Sequence, residues 1–257
     1  MSYNTGPKIV TDGLVLCLDA ADKNSYPGTG STWYDLSGNG YHGTINGATF
    51  SNNAFNFDGT DDYIDLSSHA SSLMFDSPAT INVFMRPTSN ISVSNTILSL
   101  TNGISDINTD NLDRLNISYG SLTTTLTNET FGIYKAINQQ TPNVQSTVNV
   151  DADINLGNTY QNKWVNYCVT VQSNAWQARL NGENLTLTGS SYWNGNIFGF
   201  GENISPQSKV AIGAFLTDTV GSVFNGQISM VAIYNKSLSA NEVLQNYNPS
   251  KAAMAYR

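Results

Sequence analysis

A chain of 257 residues with 40% hydrophobic and 11% aromatic side chains can bury a sizeable core, which excludes disorder as a global description. Only 12% of residues are charged, and the formal net charge of −8 comes without a cluster of Lys or Arg, which excludes a polyanionic nucleic-acid partner. No run approaches the roughly 18 apolar residues of a membrane span, and Asn, Ser, Thr and Gly are left to make the polar surface, as in β-rich chains.

The first eight residues lack the basic start and apolar run of a secretion signal, so synthesis and folding in a cytoplasm are expected. Apolar alternation then predicts strands over Leu14–Leu18, Gly43–Ile45, Phe55–Phe57, Tyr63–Leu66, Thr80–Met85 and Ile97–Leu100. Between the first two lies a region from Tyr26 to Gly47, rich in Gly, Ser, Asn and Tyr, that reads as loop closing onto the sheets through Trp33 and Leu36. Further strands are predicted over Leu115–Tyr119, Leu122–Leu126, Phe131–Ile137, Val144–Val150, Trp164–Val171, Trp176–Leu180, Val210–Phe215 and Gln227–Tyr234. Only Ser239–Tyr247 reads as helix, with Ser239 as N-cap and Glu242 at the capping-box position. Many short strands without interleaved helices point to stacked antiparallel sheets. Cys17 and Cys168 sit in separate apolar runs and read as buried thiols.

Phe57-Asp58-Gly59-Thr60-Asp61-Asp62-Tyr63-Ile64-Asp65-Leu66 joins a glycine turn and four carboxylates to an alternating strand. Tyr63, Asp65 and Ser67 fall on one face of that strand, Ile64 and Leu66 on the other. Carboxylates this close either spread along a solvated turn or are neutralised by a hard cation with oxygen ligands, for which Asp58, Asp61 and Asp62 are the candidates and calcium the ion. A second candidate is the loop of Tyr192, Trp193 and Asn194, where flat rings suit the apolar face of a pyranose and Asn its hydroxyls; core packing or an oligomer contact is the alternative use. Trp164, inside an alternating strand, reads as core, and Trp33 as the anchor of the amino-terminal loop. The glutamates Glu129, Glu183, Glu202 and Glu242 stand far apart, so the Glu-x-Asp-x-x-Glu strand of a retaining glycanase is missing. His42 and His69 lie in no recognisable nucleophile or zinc spacing, and no enzyme is expected on these grounds.

Taken in order, Phe57 to Ile64, Trp164 to Val171, Arg179-Leu180-Asn181-Gly182-Glu183, Val210 to Ala214 and Phe224 through Val243 resemble the laminin G-like, concanavalin A-like lectin/glucanase superfamily. The resemblance implies an all-β jelly-roll sandwich of two antiparallel sheets over residues 50–248, often with a calcium site at one rim and glycan or protein ligands nearby. Residues 1–49 would be a strand and loop segment packed on that sandwich, and 249–257 a tail. Family members commonly carry an acidic residue after the Gly-x-Ile of the closing strand, where Ser229 and Met230 stand here, so calcium would rest on Asp58, Asp61, Asp62 and backbone carbonyls. Residues 13–40 look like the amino-terminal portion of such proteins from tailed phages, which implies a virion protein.

The resulting expectation is a non-enzymatic surface, fibre or attachment component of a virion, homo-oligomeric, that binds cell-surface glycan. The alternatives are a structural coat protein whose partners are other virion proteins, and a glycan hydrolase.

Overall fold

The computed structural model describes residues 9–73, 78–88, 95–103, 114–120, 131–136, 160–172, 175–185 and 208–255. In chain order the strands are β1 (Leu14–Asp19), β2 (Thr32–Trp33), β3 (Gly43–Asn46), β4 (Thr49–Ser51), β5 (Ala54–Asp58), β6 (Tyr63–Asp65), β7 (Ala79–Pro87) and β8 (Asn95–Thr101). They continue as β9 (Arg114–Tyr119), β10 (Phe131–Ala136), β11 (Val165–Gln172), β12 (Ala175–Leu180), β13 (Glu183–Leu185), β14 (Lys209–Ile212), β15 (Phe215–Leu216), β16 (Val220–Gly221) and β17 (Asn225–Tyr234). Two helices accompany them, α1 (Ala70–Leu73) and α2 (Ala240–Ala255). The expected strands over Leu122–Leu126 and Val144–Val150 lie outside the described residues.

Apart from the small β15-β16 pair, the strands form two antiparallel sheets, as the alternation predicts. The first runs β13-β12-β11-β7-β17-β5-β4, and the second β10-β9-β8-β14-β6-β3-β2. Strand β17 pairs with β7 along one edge and, along the other, with β5 over Asn225–Ile228 and then with β1 over Met230–Tyr234. A bulge at Ser229 marks the change of partner, because the β7 register moves from Ile228↔Met85 to Met230↔Phe84 and leaves one extra residue. The Ser229 carbonyl accepts the Ala20 N–H at 2.8 Å and its hydroxyl donates to the Asn53 carbonyl at 3.0 Å. The extra residue is thereby satisfied on both sides.

Alternate residues of each sheet meet in the core. Phe55, Phe57, Ile81, Val83, Val169 and Ile228 from the first sheet pack with Ile64, Leu98, Leu100, Ile117 and Ile212 from the second. Trp33, Tyr26, Phe50 and Phe55 form a ring cluster with centroids 4.6–5.6 Å apart, which anchors the amino-terminal loop by Trp33 as expected. Leu36 does not share in this ring cluster: the residue is 37% exposed and closes the loop through its N–H, bonded to the Cys17 carbonyl. Around it the loop satisfies the free edge of β1. Asp35 accepts the Cys17 N–H at 2.9 Å, while Ser37 and Asn39 donate to the Val15 carbonyl.

Trp164 is likewise corrected. Val165, Tyr167, Val169 and Val171 face the core, so parity turns Trp164 outward, where it is half-buried and stacks on Phe84 at 5.5 Å. The outer face of the first sheet has a small apolar cluster of its own: Cys168, Ala232 and Tyr234 under Val10, Leu238 and Val243. There Asn246 accepts the Val10 N–H at 2.8 Å and donates to the Tyr234 hydroxyl at 3.0 Å, so both ends of the described chain are held to β17. Both cysteines are free and buried. Their strands are separated by β17 and β7, three spacings or about 14 Å, well beyond disulfide reach.

Helix α2 starts with the expected capping box: Glu242 N–H reaches Ser239 Oγ at 3.4 Å and Ser239 N–H reaches Glu242 Oε2 at 2.8 Å. It continues past Tyr247 to Ala255, through Pro249, a residue at which a sequence reading stops because it lacks an N–H. Glu242 also receives Lys236 Nζ at 2.8 Å, and Lys236 first, then Ser239, hold its carboxyl down to about 2. The folded value lies below the ordinary 4.5, so this stabilisation is complete above pH 4.5 and fades as pH falls toward 2. Replacing Glu242 by Gln should cost about 1 kcal/mol at neutral pH. In urea titrations the gap to wild type is expected to close toward pH 2, and an equal gap at both pH values would contradict the assignment.

Candidate functional site

The acidic segment is the crossover between the two sheets. Strand β5 belongs to the first sheet and β6 to the second, so Gly59 to Asp62 cross at one rim of the sandwich. The turn needs its glycine: Gly59 has φ +82°, where L side chains are strained. Asp58 Oδ1 accepts the Thr60 N–H at 2.7 Å, an Asx turn that tightens the corner. Asp62 then folds back, and its Oδ2 accepts the Asp58 N–H at 2.9 Å. Downstream, Ile64 and Leu66 are fully buried while Tyr63 and Asp65 are half-buried on the other face, the split that alternation predicts.

This geometry brings Asp58, Asp61 and Asp62 together, with one carboxylate oxygen of each inside a 4.8 Å circle. Asp58 and Asp61 are exposed, whereas Asp62 is only 6% exposed. Burial raises the Asp62 carboxyl above its usual range, the Asp58 N–H opposes that, and the neighbouring Asp58 and Asp61 charges add to it. Calcium takes oxygens at about 2.3–2.6 Å, so any two ligands of one ion lie within about 5 Å, and these three oxygens fit that limit.

Sequence reading misses the supports of this loop because they lie far away in the chain. Asn225, at the start of β17, donates to the Asp58 carbonyl at 3.2 Å and accepts the Thr88 hydroxyl at 2.6 Å. Gly47 follows β3 with φ +75°, and a Cβ there would come 2.1 Å from Asp62 Oδ1, so glycine is what lets the buried carboxylate sit where it does. The Asn46-Gly47 turn pair was the one local hint. Ser229 stands at the Asn53 end of β5, away from Asp58, and the β17 residue in register with Asp58 is Asn225. The second candidate, Tyr192, Trp193 and Asn194, lies outside the described residues. His42 is a loop residue whose Nδ1 accepts the Asp35 N–H at 3.0 Å.

Asparagine at position 62 keeps the acceptor for the Asp58 N–H and removes a charge that burial and two neighbours disfavour. The folded pKa is raised, so the ionised form costs stability above the unfolded value near 3.8. Asp62→Asn should therefore raise the melting midpoint measured in chelator. A lowered midpoint in scanning calorimetry would contradict this electrostatic account.

No protein-family model and no curated protein matches the chain. Solved structures do. Trypanosoma rangeli sialidase in complex with sialic acid superposes with a TM-score of 0.60 at 13% identity over 94% of this chain and 33% of that one. A mutant of the same sialidase displaying trans-sialidase activity gives 0.62 at 14% identity, over 95% and 34%. Domain 4 of AbnA, an extracellular GH43 arabinanase from Geobacillus stearothermophilus, in complex with arabinotriose, gives 0.56 at 16% identity, over 91% of this chain and 98% of that one. The chain thus spans about a third of the length of the sialidase chains it matches. At such identities the likeness is one of fold.

It corrects one expectation and leaves another without support. The chain was expected to be no enzyme because it lacks a carboxylate strand motif, yet sialidases and a piece of an arabinanase share this fold, so that lack excludes nothing. The virion setting expected from residues 13–40 finds no support among these likenesses.

Proposed function

We propose that this β-sandwich is a carbohydrate-recognition domain that engages glycan at the rim where the chain crosses between sheets. The observation that carries the reading is its match, over nearly the full length of both chains, to an arabinanase domain solved with arabinotriose. The rim chemistry supports it. Asp58, Asp61 and Asp62 would hold calcium, which supplies a positive charge for sugar hydroxyls and relieves the repulsion among the three carboxylates. Asp62, anchored to the Asp58 backbone, fixes the loop, and Asn225 ties the loop to β17. Tyr192, Trp193 and Asn194 are proposed as stacking and hydrogen-bonding partners of the sugar.

The test is a glycan array followed by calorimetric titration with arabinotriose and a sialoside, each with calcium and with chelator, and with turnover of the same glycans measured alongside. Saccharide binding that falls about tenfold or more on chelation, and equally in Asp58→Asn, is the expected outcome. Silence across the array with calcium present would sink the reading.

A further inference from the structure

Helix α2 lies on the outer face of the first sheet, and the surface it covers is partly polar. One row of that face runs Ala232, Asn82, Cys168 and Arg179 across β17, β7, β11 and β12. Ala232 and Cys168 pack in one cluster with Leu238 and Val243, so Val243 stands over the row, with Asn82 between its two apolar neighbours. On the far side Leu244 lies against Gly182, where a Cβ would come 2.4 Å from Leu244 Cδ2. The helix thus reaches from β17 to the turn after β12. Beneath it Asn82 is fully buried, and neither the nitrogen nor the oxygen of its amide has a hydrogen-bond partner. Arg179 is 7% exposed; its Nη2 donates to Gln177 Oε1 at 3.2 Å, and its Nη1 has no partner.

The helix holds the sheet thinly. From 240 to 248 the buried residues are Val243 and Asn246, and Leu244 is 39% exposed. Pro249 lacks the N–H for one bond of the helix ladder. Asn246 makes the specific contact: its Oδ1 accepts the Val10 N–H at 2.8 Å, its Nδ2 donates to the Tyr234 hydroxyl at 3.0 Å, and that hydroxyl donates to the Val10 carbonyl at 3.1 Å. One side chain therefore joins the amino-terminal segment to the helix, and both to β17. Lys236 adds ion pairs to Asp12 at 2.7 Å and Glu242 at 2.8 Å, open to water and worth little for it. The turn before the helix is fastened separately, since Thr80 Oγ1 donates to the Lys236 carbonyl at 2.7 Å and accepts the Leu238 N–H at 3.0 Å.

We infer that α2 is a strap that lifts from the first sheet, taking residues 9–12 with it, while both sheets stay folded. Docked, it keeps an amide and part of a guanidinium dry, and polar groups buried without partners are worse placed than in water. Lifting returns them to water and gives up little apolar burial, because Val243 is the one buried apolar side chain from 240 to 248. The free energy of opening therefore lies well below that of global unfolding. Thr80 holds the chain up to Leu238, which sets the hinge at Ser239, and the capping box of Ser239 with Glu242 is internal to the helix and survives the motion. Cys168 lies under the strap. Burial pushes its thiol up to about 12, with the Arg179 charge pulling the other way, so the closed form is unreactive.

Thiol labelling reads the opening. In the full chain carrying Cys17→Ser, Cys168 is the one thiol left, and its reaction with N-ethylmaleimide is followed by mass spectrometry. Labelling is expected to run at least about a hundredfold faster than global unfolding permits, with a slope against low urea far below that of amide exchange in β7 and β11. On the same background Val243→Ala should speed it about tenfold. Asn82→Leu, and independently Arg179→Met, should slow it about tenfold, because each removes a group that the docked strap leaves unpaired. Asn246→Ala should raise amide exchange over 9–12 and 240–248 together and leave exchange in the strands unchanged. Labelling of Cys168 that follows global unfolding in both rate and urea dependence overturns the strap. Wild-type labelling rates in both Asn82→Leu and Arg179→Met overturn the role given to the buried polar groups.

Discussion

Strand β17 carries the sandwich. Ten residues long, it is hydrogen-bonded on both edges, to β7 on one side and to β5 and then β1 on the other, and the bulge at Ser229 lets one strand serve two successive partners. Its two ends hold what matters elsewhere. At Asn225 it ties down the acidic crossover, and at Tyr234 it gathers Val10 and Asn246 under a shared hydroxyl. A slip of one residue would turn Ile228, Val231 and Ile233 out of the core and take Asn225 away from Asp58. The rim geometry is therefore as strongly specified as the core, because the same register fixes both.

Much of the fold was legible because strand parity and turn chemistry are local. Alternation located Leu14–Asp19, Ala79–Pro87, Val165–Gln172 and Asn225–Tyr234 to within a few residues, and Ser239 with Glu242 announced the start of α2. Strands of two or three residues, such as β2, β4, β13 and β16, are too short to show a period. Trp164 was read as core from its place in an alternating strand, although its parity with Asn166 and Cys168 turns it outward. Leu36 does close the loop onto the sheet, but through its backbone N–H on the Cys17 carbonyl while its side chain stays exposed.

The acidic cluster was visible as a pattern, but its meaning depends on distant residues. Gly47, Thr88 and Asn225 give Asp62 its pocket and Asp58 its anchor, and apart from the Asn46-Gly47 turn pair no sequence pattern points to them. The outer-face strip was harder still. Asn82, Asn166 and Arg179 look like ordinary polar residues alternating with apolar ones, and only cross-strand register makes them neighbours, while only burial makes their missing partners conspicuous. Catalysis was set aside on a missing motif, an argument that a fold shared with sialidases does not sustain.

Three carboxylates at the rim have the spacing that a hard cation would require. The rim is the part on which the functional account turns, and anomalous diffraction from crystals grown with calcium addresses it most directly. The account predicts a single strong calcium peak about 2.3–2.6 Å from oxygens of Asp58, Asp61 and Asp62. A map with no peak there, and with the three carboxylates turned apart into solvent, would contradict it.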